Sequence, residues 1–373
     1  MNYFLIIICV VVIFLFIYSI IKDKKNKKVF QNKLIYKKRA TCEYKTSESI
    51  LEFFNNYDIQ NYDSIVDDPN INSRRTVYIP CTYDDPEKEI NEMKKTNDNY
   101  YMIINKCDIF VGKNYLWNFL KMFYGDQVTK FVPKSYITYD NESMEEFKKD
   151  YDKNKLYIMK KNVQRQEGIR ITKDYDILIN GVKDDFIIIQ ELLQNPFILN
   201  GRKINLRVYI LVVIKNDECS TYVYTNGFMY YTKQFFIKGS AELDRNVTTG
   251  YIDRKVYDEN PLTHDDFRQY LGQDKSNIIF HNIYELIKNV MSPFQKHLVE
   301  FQAFPGSTQF QIFGADVAVN DDLTSTLMEI NKGPDLSYKD ERDGEVKRNL
   351  IEDMFSIIGA IQKDIPNRFY KVS

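Results

Sequence analysis

The sequence predicts an α/β protein of mixed and antiparallel sheets, and three stretches carry that reading. Along Lys203–Val213, Lys203, Asn205, Arg207 and Tyr209 alternate with Ile204, Leu206, Val208 and Ile210, the period of two of a long strand with one polar face. A solvent-facing sheet would display the same four groups. Phe310–Leu336 reads as two strands around the polar break Asn320-Asp321-Asp322. Val346, Leu350, Met354 and Ile358 recur every four residues, the stripe of a closing helix packed on a sheet.

The chain has 373 residues, enough for two or three lobes, and its 51 basic side chains against 52 acidic ones give no bulk attraction toward nucleic acid. Cys9, Cys42, Cys81, Cys107 and Cys219 show no paired spacing, so neither a zinc site nor a disulfide framework is expected. Tyr3–Ile21 is uncharged and long enough as a helix to cross the ~30 Å hydrocarbon core of a bilayer. With Lys22, Lys24, Lys25, Lys27 and Lys28 directly after it, residues 1–21 are expected to anchor a single-pass membrane protein whose bulk faces the cytoplasm. Residues 22–75 then read as a basic, polar tether with one short helix around Ile50–Phe54.

Residues 76–136 suggest a small N-terminal α/β lobe, with strand candidates at Thr76–Ile79 and Tyr101–Asn105 and an amphipathic segment from Leu116 to Phe123. In 137–200, a central lobe, Leu156–Lys161 is a strand ending in lysine, followed by a polar connection through Gly168 to a second strand from Ile169. A lysine at a strand tip reaches phosphate oxygens, and a glycine-bearing connection can fold over them; a solvated turn has the same appearance. Phe186–Leu193 is a buried strand whose Gln190 and Glu191 mark a polar edge suited to an adenine, or an ordinary strand terminus. In 201–373, the C-terminal lobe, Asn226-Gly227 is expected to turn a hairpin between Ser220–Tyr224 and Phe228–Phe236. Residues 258–304 are mostly helical, interrupted around Gly272 and Pro293.

Centring the last hairpin between Asp322 and Leu323 sets Asp316 directly across from Glu329, with Asn331 on the same face and Met328 and Ile330 pointing behind it. Three hard oxygen donors suit Mg²⁺, which takes one or two carboxylates and fills its octahedron with water and phosphates. An ordinary hairpin can also carry such a pair on its solvent face.

In this order the pieces resemble the tubulin-tyrosine ligase-like family, whose fold is an ATP-grasp. The resemblance runs from about Ile103 to Ile358. It rests on Asn105…Gly112-Lys113 with Phe131-Val132-Pro133-Lys134-Ser135; Tyr157-Ile158-Met159-Lys160 with Gln166-Glu167-Gly168-Ile169; Gln190-Glu191-Leu192; Lys203-Ile204-Asn205-Leu206-Arg207; Phe313-Gly314-Ala315-Asp316; and Met328-Glu329-Ile330-Asn331 with Pro334.

The resemblance implies an ATP- and Mg²⁺-dependent ligase that adds Tyr, Glu or Gly to a protein acceptor, tubulin or another acidic tail, through an acylphosphate. Lys160 and Lys203 would contact phosphates or adenine. Gln190, Glu191 and Leu192 would line the base pocket, with Gly168 in the lid and Asn205 beside the nucleotide. Asp316, Glu329 and Asn331 would hold the metal, and Lys113 and Arg207 would lie nearer the acceptor or the amino acid. Two departures support an alternative, a membrane-tethered relative that binds without turnover. Asn205 stands where the family has Asp, and Tyr230 where it usually has Arg.

Overall fold

The computed structural model describes residues 34–39, 41–65, 71–162 and 168–373, which form two compact units, each assembled from separated stretches of chain. In the first, strands Gln60–Asn61, Leu34–Lys38, Arg75–Ile79 and Tyr100–Tyr101 lie side by side in parallel, and Thr308 and Gln309 extend the row. Helix Glu48–Asn56 packs on helix Glu341–Ile357 through the stacked rings of Phe53 and Phe355, 4.4 Å apart. The stripe Val346, Leu350, Met354 and Ile358 is buried, as its spacing requires. Asp340 starts that helix by accepting from the Asp343 N–H, which satisfies one of the donors a helix leaves orphaned.

Two expectations for this region are corrected. The stretch read as tether plus one helix also supplies strand Leu34–Lys38, buried at Leu34 and Ile35 and paired residue by residue with Arg75–Ile79. Its apolar part is too short to stand out from the lysines that follow it. Cys42 and Cys81 form a disulfide with Cα atoms 5.4 Å apart, although 39 residues separate them. A parallel pairing brings together positions whose sequence spacing carries no signal.

The membrane placement expected from sequence is also corrected. Among the described residues no helix is long and apolar enough to cross a bilayer, and the proposed anchor Tyr3–Ile21 lies outside the described residues.

The second unit holds a four-stranded antiparallel sheet in the order Ser135–Ile137, Phe186–Glu191, Tyr157–Lys161, Ile169–Thr172. A larger sheet in the same unit is built on Arg202–Lys215 and Glu218–Thr232, with Ser325–Asn331 pairing antiparallel to the strand that ends at Val319. The helical stretch breaks as its sequence predicts, at Gly272 between His264–Leu271 and Gln273–Met291 and again at Pro293.

The predicted turn at Asn226-Gly227 is not a turn. Both residues lie inside strand Glu218–Thr232, and the hairpin instead reverses at Asn216-Asp217, with φ of 52° and 60° and Lys215 facing Glu218. Two successive positive φ values make the turn whose twist matches the strands, and Asn and Asp tolerate that region. Gly227 answers a different demand: a Cβ there would strike the Arg207 carbonyl oxygen and the buried His264 ring. A β-branched residue at φ near +50° is strained, so Asn216→Val should cost about 1–2 kcal/mol in urea unfolding and Asn216→Gly almost nothing. Equal stability of the two variants would place the turn elsewhere.

Candidate active site

The last hairpin builds the first part of the site. Its register pairs Gly314 with Asn331, Ala315 with Ile330 and Asp316 with Glu329, as the alternation predicts. The turn is one residue out of step, because Val319 faces Ser325, and a bulge between Asp316 and Val317 restores the predicted opposition. The same bulge brings Met328 to the cavity that Glu329 lines, rather than behind the sheet. Asn331 donates from its amide to Glu329 Oε1 at 3.3 Å and to the Gly314 carbonyl at 3.4 Å.

Strand Arg202–Lys215 supplies the second part. Arg207 grips Asp316 in a fork, Nε to Oδ1 at 2.8 Å and Nη2 to Oδ2 at 3.2 Å, and its guanidinium lies 5.0 Å from the ring centre of Tyr230. Glycine at 314 is required by this contact: a Cβ would sit 2.7 Å from Arg207 Nη1. Lys203 and Lys160 are both buried polar side chains, from the larger and the four-stranded sheet respectively. Asn205 faces Tyr230 across the strand pair, and its buried Oδ1 has no hydrogen-bond partner among the described residues. Lys113 opens helix Lys113–Tyr124 and lines the same cavity as Glu329.

Electrostatics tie these groups together. Burial pushes the Lys160 ammonium below its usual range, against the pull of Glu329 and with the repulsion of Lys113. Burial and then the charge of Lys160 lower Lys203 to about 8. Burial also pushes the Asp316 carboxyl up, against the pull of Arg207 and with the repulsion of Glu329. Burial opposes the ionisation of Glu329 as well, but Lys160, Lys113, the Asn331 amide and Arg207 outweigh it and hold that carboxyl below its usual range.

The remaining predicted residues occupy the four-stranded sheet and its edge. Gln190 donates from Nε2 to Ser135 Oγ at 2.8 Å, and its buried Oε1 has no partner among the described residues. The Glu191 carboxylate pairs with Lys155 Nζ at 3.0 Å, and its backbone N–H donates to the Lys134 carbonyl at 2.9 Å. Leu192 packs with Leu156, Ile158 and Ile171. Gly168 has φ of 68° and abuts Lys161, where a Cβ would lie 2.7 Å from the lysine Cβ. Part of the predicted lid, residues 163–167, lies outside the described residues.

Sequence reasoning missed Trp117, Val111 and Ser135, which line the cavity with Glu329 and Gln190. The single Trp of the chain, at the start of an amphipathic helix, was the available signal. It missed too the stacking of Tyr230 on Arg207, which only the strand register reveals.

For a divalent cation, two carboxylates on directly opposed residues, with Asn331 beside them, are the donor set Mg²⁺ takes when phosphates and water complete its shell. A carboxylate engaged by one arginine keeps lone pairs for a metal. Among the described residues no cluster of three His, Cys, Asp or Glu side chains could hold a metal unaided, so the fit is to a cation that arrives with its own oxygen ligands.

The sequence pattern of the tubulin-tyrosine ligase family matches residues 91–367. The chain belongs to this family. Among its relatives are the probable tubulin polyglutamylase TTLL9 of Bos taurus, 25% identical over 53% of this chain and 44% of the relative, and the probable alpha-tubulin polyglutamylase Ttll1 of Tetrahymena thermophila, 25% identical over 46% and 43%. The tubulin polyglutamylase TTLL7 of Homo sapiens is 23% identical over 63% of this chain and 29% of the relative. The chain thus spans less than half the length of these proteins. Its mixed α/β architecture fits the ATP-grasp-like fold of the tubulin-tyrosine ligase family.

The lowered Lys203 gives a signed pH test. Its pKa of about 8 lies below the ordinary 10.5, so the unfolded chain binds more protons between those values and the fold gains stability as pH rises through that window. Lys203→Met should flatten this rise in urea midpoints measured from pH 7.5 to 10.5. An unchanged slope in the variant would mean that Lys203 is not buried as a charge.

Proposed function

We propose that the chain is an ATP-dependent ligase that joins an amino acid to a protein acceptor by a peptide or isopeptide bond. The observation that carries this reading is an imbalance of buried charge. Lys113, Lys160 and Arg207 act on two carboxylates, Asp316 and Glu329, and Lys203 is a further buried cation beside Lys160. Buried cations in excess of their partners are costly unless an anion joins them, and a polyphosphate supplies the charge at that place.

In this reading Lys160 and Lys203 bind phosphate oxygens, while Gln190, Glu191 and Leu192 line the base pocket, with Gly168 in the cover. Asp316, Glu329 and Asn331 hold Mg²⁺, which when bound neutralises charge on the phosphates. Lys113 and Arg207 stand nearer the amino acid or acceptor, where Arg207 is held in place by Asp316 and Tyr230. The protein's contribution is positioning, electrostatic stabilisation and exclusion of water from an acyl group activated as its phosphate. Relatives named as tubulin polyglutamylases favour glutamate over tyrosine or glycine, and tubulin as acceptor.

A second reading, nucleotide binding without turnover, draws on Asn205 and Tyr230. The buried Asn205 Oδ1 is neutral where the family motif carries a charge, and an aromatic ring occupies the position of a cation. The two readings separate in one assay, in which the full chain is given ATP, Mg²⁺, labelled Glu, Tyr or Gly, and microtubules. Transfer of label that falls about 100-fold or more in Glu329→Gln is the expected result. Saturable ATP binding with no transfer of any of the three amino acids would favour the binding-only protein.

A further inference from the structure

Gln190 and Ser135 are direct partners across the antiparallel pair of strands Ser135–Ile137 and Phe186–Glu191. Ser135 Oγ donates its single proton to the Pro133 carbonyl at 2.7 Å. The only role left to that hydroxyl toward Gln190 is acceptor, and Gln190 Nε2 donates to it at 2.8 Å. The carboxamide is therefore fixed in one of its two flips. Its Oε1, buried and without a partner among the described residues, is the atom left for a ligand. The opposite flip would require Ser135 to turn its proton away from Pro133, a buried residue.

A locked acceptor is a specificity device. Adenine presents an exocyclic N6–H₂ donor at the edge where guanine presents the O6 acceptor. Against Oε1 the first forms a hydrogen bond, while the second sets two oxygens face to face and leaves both unpaired, which is expensive in a buried site. An unlocked carboxamide could rotate to offer its NH₂ to guanine and would discriminate little.

We propose that Ser135 is the positioning residue that sets purine specificity at this site, by locking the Gln190 carboxamide so that it accepts from a 6-amino purine and rejects a 6-oxo one. This rests on the nucleotide site proposed above. Ser135 itself need not touch the base, because it acts through Gln190.

The test is competition of ATP and GTP for the full-length protein in Mg²⁺, read as the ratio of the two dissociation constants. The wild type should favour ATP by about tenfold or more, and Ser135→Ala should narrow that ratio by about tenfold, chiefly through tighter GTP binding. Ser135→Thr, which keeps the hydroxyl, should retain the wild-type ratio. In Gln190→Glu, which offers only acceptor oxygens and has no flip to lose, adding Ser135→Ala should leave the ratio unmoved. A partly unfolded population scales both affinities equally and cannot mimic a change in the ratio. A wild-type preference for ATP that survives in Ser135→Ala, or that is lost equally in Ser135→Thr, would overturn the role of Ser135 and leave the nucleotide site standing. Failure of the wild type to bind either nucleotide would overturn both.

Discussion

Opposition of Asp316 and Glu329 across one hairpin is the constraint on which the site depends. Two carboxylates on directly facing residues of an antiparallel pair lie close enough to repel, and burial makes that repulsion worse. Cations offset that repulsion: Arg207 forks onto Asp316, and the charges of Lys160 and Lys113 favour ionised Glu329. Burial and the neighbouring Glu329 push the Asp316 carboxyl up against the pull of Arg207, whereas Lys160 and Lys113, with the Asn331 amide and Arg207, outweigh burial at Glu329 and hold that carboxyl down. The Arg207 fork also explains Gly314, since any side chain there would displace the guanidinium that makes the pairing tolerable.

The cations are held by the sheets in turn. Arg207 and Lys203 share the polar face of one long strand, and Lys160 ends a strand of the other sheet in the same unit. Burial, and then the charge of Lys160, lower the Lys203 ammonium to about 8. The ring of Tyr230 supports the cation on Arg207 from 5.0 Å. Asn205 stands apart in the site, because its buried Oδ1 has no hydrogen-bond partner among the described residues.

Much of this was legible in the sequence wherever alternation and polar punctuation act over neighbouring residues. The facing of Asp316 and Glu329, the long strand from Arg202 and the stripe of helix Glu341–Ile357 are all local patterns. What could not be read depends on contacts between distant stretches. The bond between Cys42 and Cys81 follows from a parallel strand pairing, and the reach of Tyr230 to Arg207 from a register interrupted by a bulge. Asn226-Gly227 misled for a physical reason: glycine serves both turns and tight backbone contacts, and here it makes room for His264 while Asn216-Asp217 makes the turn. The membrane placement rested on residues outside the described chain, and no described helix supports it.

The central claim is that these charges surround one metal-bound nucleotide, and calorimetric titration of the full chain with ATP, in the presence and absence of Mg²⁺, tests it most directly. One site is predicted, with affinity strengthened by Mg²⁺ in the wild type and with that strengthening abolished in Glu329→Gln. Absence of binding, or a Mg²⁺ dependence that survives the loss of the Glu329 carboxylate, would contradict it.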